Sequence, residues 1–172
     1  MKEQAKQFAF KAHQDVNQKY GDKPYSYHLQ MVVDAGEEFI HLIPENKRDI
    51  VISACYSHDL IEDARMTYNN VKQVLGEEVA EIVYALTNEK GRTRKERAND
   101  KYYQGIRETP FASFVKVCDR IANVRNSKAE GSRMFEMYKK ENQNFVDKIY
   151  DEDYKEIFDY LDSLFRLKNL VV

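Results

Sequence analysis

The sequence predicts an all-α protein built as a single helical bundle. Apolar residues recur every three to four positions along most of the chain, a spacing that places them on one face of a helix. The 172 residues include only 6 glycines and 3 prolines, too few for a sheet-rich fold with many tight turns. No stretch shows the apolar and polar alternation of a half-buried strand, and the sequence has no glycine-rich phosphate loop.

The first third of the chain predicts three long helices. The first covers residues 3–19 and ends at the breaker sequence GDKP, residues 21–24. The second is expected over residues 25–42, where Gly36 either bends it or ends it early. The third is expected to run without interruption over residues 47–63.

Shorter helices are predicted in the middle of the chain. Thr67 suits an N-cap, and the helix that it starts is expected to end at Gly76, because glycine favours the C-cap. Thr93 and Glu96 have the spacing of a capping box, which predicts a helix that runs to about Glu108. The other predicted helices cover residues 77–87, begin at Pro110, and cover residues 131–149 and 151–168.

The composition narrows the classes of partner and compartment. The formal net charge of −2 gives no overall attraction to nucleic acid or to an anionic membrane, so we expect a small-molecule partner. No apolar stretch is long enough to span a membrane. Cys55 and Cys118 lie in apolar runs outside any CxxC motif and are expected to be reduced, as in a cytoplasmic protein. The oligomeric state is left open, a homodimer included.

The stretch YSHDLIEDA, residues 56–64, combines one histidine with three carboxylates beside an apolar run. On a continuous helix, Asp59 lies one turn from Glu62 and Asp63, so the three carboxylates share a face with His58 close by. Like charges on a half-buried helix repel each other, and a divalent cation relieves that repulsion. The imidazole and carboxylate donors suit Mn²⁺, Fe²⁺ or Mg²⁺. Taken alone, a His-Asp pair is equally compatible with an ordinary helix surface.

Two residues elsewhere in the chain are able to complete such a site. His28 lies in YSYHLQMVV on the second predicted helix. Asp119 directly follows the apolar run FVKVC, and a carboxylate in a buried segment needs a partner.

The order His28, His58-Asp59, Asp119 resembles the H…HD…D pattern of the HD-domain metal-dependent phosphohydrolases. Four segments narrow the resemblance: PYSYH, HDLIEDA, LGEEVAEIVYALT and KVCDRIANVRN. Together they resemble the hydrolase domain of the RelA/SpoT enzymes and their small single-domain SpoT-like relatives, the metazoan SpoT homologue type included. The resemblance implies one HD phosphohydrolase domain over residues 1–172, with a metal core at about 8–128 and C-terminal helices at 131–168.

The resemblance also implies an activity and a set of site residues. The expected activity is Mn²⁺-dependent hydrolysis of guanosine 3′,5′-bispyrophosphate (ppGpp or pppGpp) with release of the 3′-pyrophosphate, a reaction of the stringent response. The expected ligands of one Mn²⁺ ion are His28, His58, Asp59 and Asp119. Glu62 and Asp63 are the expected catalytic pair that positions and activates the attacking water.

The substrate-binding residues are expected to be lysine and arginine side chains together with one asparagine. Lys95 and Arg97 are favoured within the basic stretch 90–101, which in the alternative interpretation is a solvated face. Asn123 lies one turn beyond the last metal ligand. Lys19 and Lys23 stand near the place where the family usually has an arginine that holds guanine. That arginine is absent, so hydrolysis of a deoxynucleotide or NADPH stays an alternative, as does a non-catalytic nucleotide-binding module.

Overall fold

The structure, a computed structural model, describes residues 1–166, apart from the side chains of residues 94 and 95. It confirms the all-α prediction, because helices dominate the described chain and the one sheet found there is a two-stranded hairpin. The α-helices are α1 Lys2–Asp15, α2 Ser26–Glu38, α3 Arg48–Ser57, α4 Leu60–Asp63, α5 Tyr68–Leu75, α6 Glu77–Leu86, α7 Arg94–Arg97, α8 Asp100–Glu108, α9 Ala112–Ala129, α10 Arg133–Ile149 and α11 Lys155–Ser163.

Helices α2, α3 and α9 form the centre of the bundle and carry much of its core. The buried apolar residues Leu29 and Val33 of α2, Val51 and Ala54 of α3, and Phe114 of α9 belong to one continuous cluster. The other helices pack around these three, and most residues of α9 are buried, as expected for a central helix. Side chains that these three helices direct to a common point therefore lie inside the protein.

The segment after the first helix differs from the prediction. Helix α1 ends at Asp15 instead of residue 19, and residues Lys19–Tyr20 (β1) pair antiparallel with Lys23–Pro24 (β2). Gly21 occupies the turn between them with φ 64°, a conformation that glycine adopts without steric cost. Strands of two residues are too short to show an alternating pattern, so sequence periodicity had no means of detecting them.

The predicted continuous helix over residues 47–63 is wrong. The chain forms a 3₁₀ turn at Glu45–Lys47, then α3, and α4 starts only at Leu60. Asp59 interrupts the helix with φ −102° and ψ 6°. Neighbouring residues on a regular helix diverge by about 100°. The break follows from the convergence of the His58 and Asp59 side chains on one point, which a regular helix prevents.

Smaller differences concern helix ends. Helix α2 continues through Gly36 and ends at Glu38, followed by a 3₁₀ turn at Ile40–Leu42. The helix predicted from Thr93 to Glu108 is two helices, because Asn99 caps α8 by accepting a hydrogen bond from the Tyr102 amide at 3.0 Å. Thr93 itself accepts one from the amide of Glu96 at 3.2 Å, as its capping role predicts.

The helix predicted to begin at Pro110 starts at Ala112 instead, after Phe111 with φ 65°. The two C-terminal helices are confirmed as α10 and α11. Residues 167 and 168 of the last predicted helix lie outside the described residues. No helix in the described part of the chain has both the length and the hydropathy needed to cross a membrane.

Candidate metal centre

The side chains of His28, His58, Asp59 and Asp119 converge in the middle of the bundle. His28 comes from α2, His58 and Asp59 from the break between α3 and α4, and Asp119 from α9. His28 Nε2 lies 3.3 Å from Asp119 Oδ1 and 3.8 Å from Asp59 Oδ2. His58 Nε2 lies 2.8 Å from Asp59 Oδ2 and 3.9 Å from Asp119 Oδ1. The four predicted metal ligands thus share one small volume.

The orientation of His58 suits a metal ligand. Its Nδ1 lies 3.0 Å from the carbonyl oxygen of Cys55, and assigning the ring proton to Nδ1 leaves the Nε2 lone pair facing the carboxylates. Within the described residues, Nε2 is fully buried and has no hydrogen bond of acceptable geometry. An orphaned ring nitrogen beside two buried carboxylates is the situation that a cation resolves.

The mixed nitrogen and oxygen donor set therefore fits a divalent cation. One donor atom from each of His28, His58 and Asp119 lies within 4.8 Å of the other two, so a single ion is able to contact all three. Asp59 Oδ2 lies 2.8 Å from His58 Nε2, but Asp59 is not part of this group of three. Two histidines with two carboxylates are ligands that Mn²⁺, Fe²⁺ and related hard or borderline ions accept, and no thiolate takes part.

The protonation of these groups reflects their mutual attraction. Burial lowers the pKa of His58, but the adjacent Asp59 and the nearby Asp119 outweigh it and raise that pKa to about 9. Burial raises the pKa of Asp59, yet His58 lowers it overall, and Lys116 has the same effect on Asp119. Binding of a cation therefore has to release a proton from His58, which couples the affinity for metal to pH.

Tyr25 connects the ligand Asp59 to the predicted catalytic residue Asp63. Its hydroxyl donates to Asp59 Oδ2 at 2.5 Å and lies 3.4 Å from Asp63 Oδ2. The ring is buried and stacks on His13 with centroids 4.4 Å apart. Its burial against His13 makes Tyr25 part of the support of the centre.

The two predicted catalytic carboxylates contact different neighbours. Asp63 lies beside Tyr25 and Gln18, and burial together with Asp59 raises its pKa to about 6. Glu62 is more exposed and accepts hydrogen bonds from the Asn88 side chain at 2.8 and 3.0 Å. A carboxyl group with a pKa near 6 exchanges its proton close to neutral pH, which suits an acid or a base.

Asn123 is the one predicted substrate-binding residue that the structure places directly against the centre. Its amide donates to Asp119 Oδ1 at 2.6 Å, and its side-chain oxygen accepts from the Tyr20 hydroxyl at 2.8 Å. Tyr20 in turn stacks on His28, with ring centroids 4.8 Å apart and nearly parallel planes. Asn123 therefore links the hairpin to the predicted metal ligand Asp119, and it lines two cavities next to α9.

The predicted cationic residues lie further out. Lys19 lines a cavity of about 460 Å³ between α1 and the hairpin, and Lys23 lies 3.9 Å from Glu130 and over the ring of Tyr27. Arg97 is half-buried at the end of α7. The side chain of Lys95 lies outside the described residues, so its predicted role has no structural description.

The second arginine of the segment DRIANVR, Arg125, has a role in helix packing. Arg125 forms a bidentate ion pair with Glu38 at 2.6 and 2.8 Å and donates to the Tyr160 hydroxyl. These contacts join α9 to α2 and α11, away from the four converging ligands. The segment thus contains a helix-joining residue as well as site residues.

The residues around the centre that were not predicted as site residues include Asn88, Lys116 and, in its supporting position, Tyr25. Asn88 lies in the polar stretch after α6, where nothing distinguishes it from loop asparagines. Lys116 stands three residues before Asp119, and that i, i+3 spacing was the available signal.

Comparison with known proteins identifies similar folds and sequences. A solved structure reported as "A metazoan ortholog of SpoT hydrolyzes ppGpp and plays a role in starvation responses" superposes with a TM-score of 0.76. The alignment covers 99% of this chain and 96% of that chain at 20% sequence identity. The chain has the fold of a SpoT-type hydrolase. The resemblance predicted from the sequence is therefore confirmed.

Proteins with similar sequences align with a shorter stretch of this chain. The chain is 30% identical over 77 residues to the mouse protein guanosine-3′,5′-bis(diphosphate) 3′-pyrophosphohydrolase MESH1, which is 45% of this chain and 43% of the mouse protein. The zebrafish protein of the same name is 32% identical over 76 residues, 44% of this chain and 42% of its own length. The chain thus spans less than half the length of the curated relatives that it matches. No family model matches it.

Proposed function

We propose that this protein is a divalent-metal-dependent pyrophosphohydrolase that removes the 3′-pyrophosphate from ppGpp or pppGpp, with Mn²⁺ as its metal. The observation that carries the proposal is the convergence of two histidines and two aspartates around an orphaned His58 Nε2. The names of the mouse and zebrafish relatives, both 3′-pyrophosphohydrolases of guanosine bis(diphosphate), support the substrate. We also propose that the chain forms one hydrolase domain and acts in the cytoplasm, where the free cysteines Cys55 and Cys118 stay reduced.

The proposed reaction assigns a separate task to each carboxylate. A divalent cation would be held by His28, His58, Asp59 and Asp119 and would supply Lewis acidity at the phosphoryl group. Water forms a bond to the phosphorus next to the ribose 3′ oxygen, the bond from that phosphorus to the 3′ oxygen breaks, and pyrophosphate leaves. Asp63 accepts a proton from the attacking water, and the ribose 3′ oxygen takes up a proton from solvent to become a hydroxyl group. Glu62, held by Asn88, orients that water, and Asn123 contacts the nucleotide.

A product assay tests this proposal. Protein loaded with Mn²⁺ is expected to convert ppGpp to GDP and pyrophosphate, and EDTA is expected to abolish the reaction. Asp63→Asn and Glu62→Gln are each expected to reduce kcat by 100-fold or more, in the range of lost acid–base catalysis. The matched control is Asp159→Asn, a carboxylate of α11 that pairs with Lys155 on the surface. It is expected to retain the activity of the parent protein.

The assay also separates the alternatives. The hairpin presents Lys19, Tyr20 and Lys23 where the family has its guanine-holding arginine, which favours testing other nucleotides. Release of phosphate from NADPH or a deoxynucleotide, with ppGpp left intact, contradicts the proposed substrate and supports a phosphatase. Binding of ppGpp without any turnover supports a non-catalytic module.

A further inference from the structure

Lys116 places a cation inside the centre, although it lies in the apolar run before Asp119. Its side chain retains only 20% of its solvent exposure, and Nζ lies 3.1 Å from Asp119 Oδ2. Residues on both sides of it in α9, Val115 and Val117, are fully buried. An ammonium group that has lost most of its water needs several polar partners to offset the cost.

The contacts of Asp119 divide its two oxygens between different neighbours. Oδ1 faces His28 Nε2 at 3.3 Å and accepts from Asn123 at 2.6 Å. Oδ2 faces Lys116. Lys116 therefore turns one oxygen of this predicted metal ligand away from the histidines and leaves the other directed at them.

The ammonium group of Lys116 has more hydrogen-bond donors than its contact with Asp119 uses. The Tyr102 hydroxyl donates to the Leu86 carbonyl oxygen at 3.1 Å and also interacts with Lys116 through a hydrogen bond. An ammonium carries three N–H donors, and within the described residues Asp119 and Tyr102 use two of them. The third is available to a ligand.

A cavity lies where such a ligand would bind. It has a volume of about 120 Å³, and Asn88, Lys116, Asp119 and Asn123 are among its lining residues. The amides of the two asparagines already donate to Glu62 and Asp119, so Lys116 supplies the available donor and a positive charge beside the predicted metal ligand Asp119. An ammonium donor at a small polar cavity suits a phosphate oxyanion.

We propose that this cavity is a pyrophosphate subsite in which Lys116 donates to an oxygen of the group that leaves, while its contact with Asp119 positions that ligand. The proposal rests on the proposed function, because it assigns the pyrophosphate product a place. In this proposal Lys116 has two roles: it contacts the substrate, and it positions the predicted metal ligand Asp119.

Pyrophosphate binding to Mn²⁺-loaded protein, measured by calorimetry without nucleotide, tests the subsite. Lys116→Met removes the charge and keeps the length of the side chain, and it is expected to weaken pyrophosphate binding at least tenfold, the size of one lost hydrogen bond to a charged group. Lys116→Arg is expected to bind pyrophosphate more tightly than Lys116→Met. The control is Lys128→Met, which removes a lysine from the end of the same helix, where it contacts the Leu164 carbonyl oxygen.

One further measurement and a second pair of variants make each result decisive. Binding of Mn²⁺ alone, followed by electron paramagnetic resonance, is expected to weaken in Lys116→Met because Asp119 is free to turn. Should Lys116→Met not fold, the comparison of Lys116→Gln and Lys116→Arg decides by the same criterion. Unchanged pyrophosphate affinity in the charge-free variant, or no pyrophosphate binding by the parent protein, overturns the subsite. Pyrophosphate binding by a protein that leaves ppGpp intact contradicts the proposed function alone.

Discussion

At the scale of single residues, the centre depends on side chains that hold the ligands as much as on the ligands. The Tyr25 hydroxyl bridges the side chains of Asp59 and Asp63. Its ring is fixed by the stack on His13, whose pKa burial lowers to about 4, so that ring stays neutral. A rigid, neutral support of this kind keeps a buried carboxylate in one orientation.

Tyr25→Phe tests this support. The variant keeps the ring and its stack on His13 but removes the hydroxyl that donates to Asp59, and outer-shell losses of this kind typically cost about 10- to 100-fold in metal affinity or activity. We expect Mn²⁺ affinity and ppGpp turnover to fall within that range, measured by calorimetry and product assay. Tyr154→Phe is the control, because Tyr154 is equally buried but packs on Phe114. Parent-like metal affinity in Tyr25→Phe would contradict the role.

The residue types of the site were more predictable from sequence than their supports. Histidine and aspartate at His28, His58 and Asp119 are conspicuous because buried polar residues in apolar runs need a reason. Tyr25 and Lys116 are not conspicuous, because tyrosine and lysine are common in helices and their function depends on which partner the fold brings near. These partners are identified only by the structure.

At the scale of elements, the interrupted helix between α3 and α4 is what makes the site. A continuous helix over residues 47–63 is what periodicity favours, and the structure breaks it at Asp59. Local propensity has no reason to break there, so the interruption follows from tertiary contacts with α2 and α9. The sequence was sufficient to locate the helices, whereas it was insufficient to locate the break that creates the ligand pair.

Gly36 sets how closely α2 approaches its neighbours. A Cβ atom at this position would lie 3.2 Å from Cys55 Sγ and 3.3 Å from Ile52 Cδ1. Glycine in a helix costs about 1 kcal/mol relative to alanine, so its presence in α2 calls for a packing reason. The close approach of α2 to α3 is that reason, because these two helices carry His28 and His58.

The pair Gly36→Ala and Gly105→Ala separates packing from helix propensity. Overpacking typically costs about 1–3 kcal/mol and exceeds the gain in propensity, so Gly36→Ala is expected to be less stable by about 1 kcal/mol. Gly105 in α8 has no atom within 4 Å of an added Cβ, so Gly105→Ala is expected to be more stable by roughly 0.5–1 kcal/mol. Urea unfolding midpoints measure both changes. Equal gains in stability for the two variants would show that the approach of α2 is not tight.

At the scale of the whole molecule, the centre joins three segments that are distant in sequence. His28, the His58-Asp59 pair and Asp119 lie on α2, at the α3–α4 break and on α9, which are also the helices that share the core. Without metal, the two buried carboxylates depend on His58 and Lys116, which lower their pKa values. The ligand set is assembled only in the folded state, so a cation binds the folded protein in preference to the unfolded chain. Metal binding and folding are therefore coupled.

The coupling predicts that Mn²⁺ raises the melting temperature. At about 100 times Kd, ligand binding adds roughly 2.7 kcal/mol, which corresponds to about 5–11 °C for a chain of this size. Asp119→Asn keeps the shape of the side chain but removes a charged ligand, so we expect most of that shift to disappear. Asp34→Asn, which changes an exposed aspartate on the same helix as His28, is expected to keep it. Scanning fluorimetry with and without Mn²⁺, and again after EDTA, measures the shift as a difference within each variant. A lower baseline stability of Asp119→Asn therefore does not obscure the result, and a full Mn²⁺ shift in that variant would exclude Asp119 as a ligand.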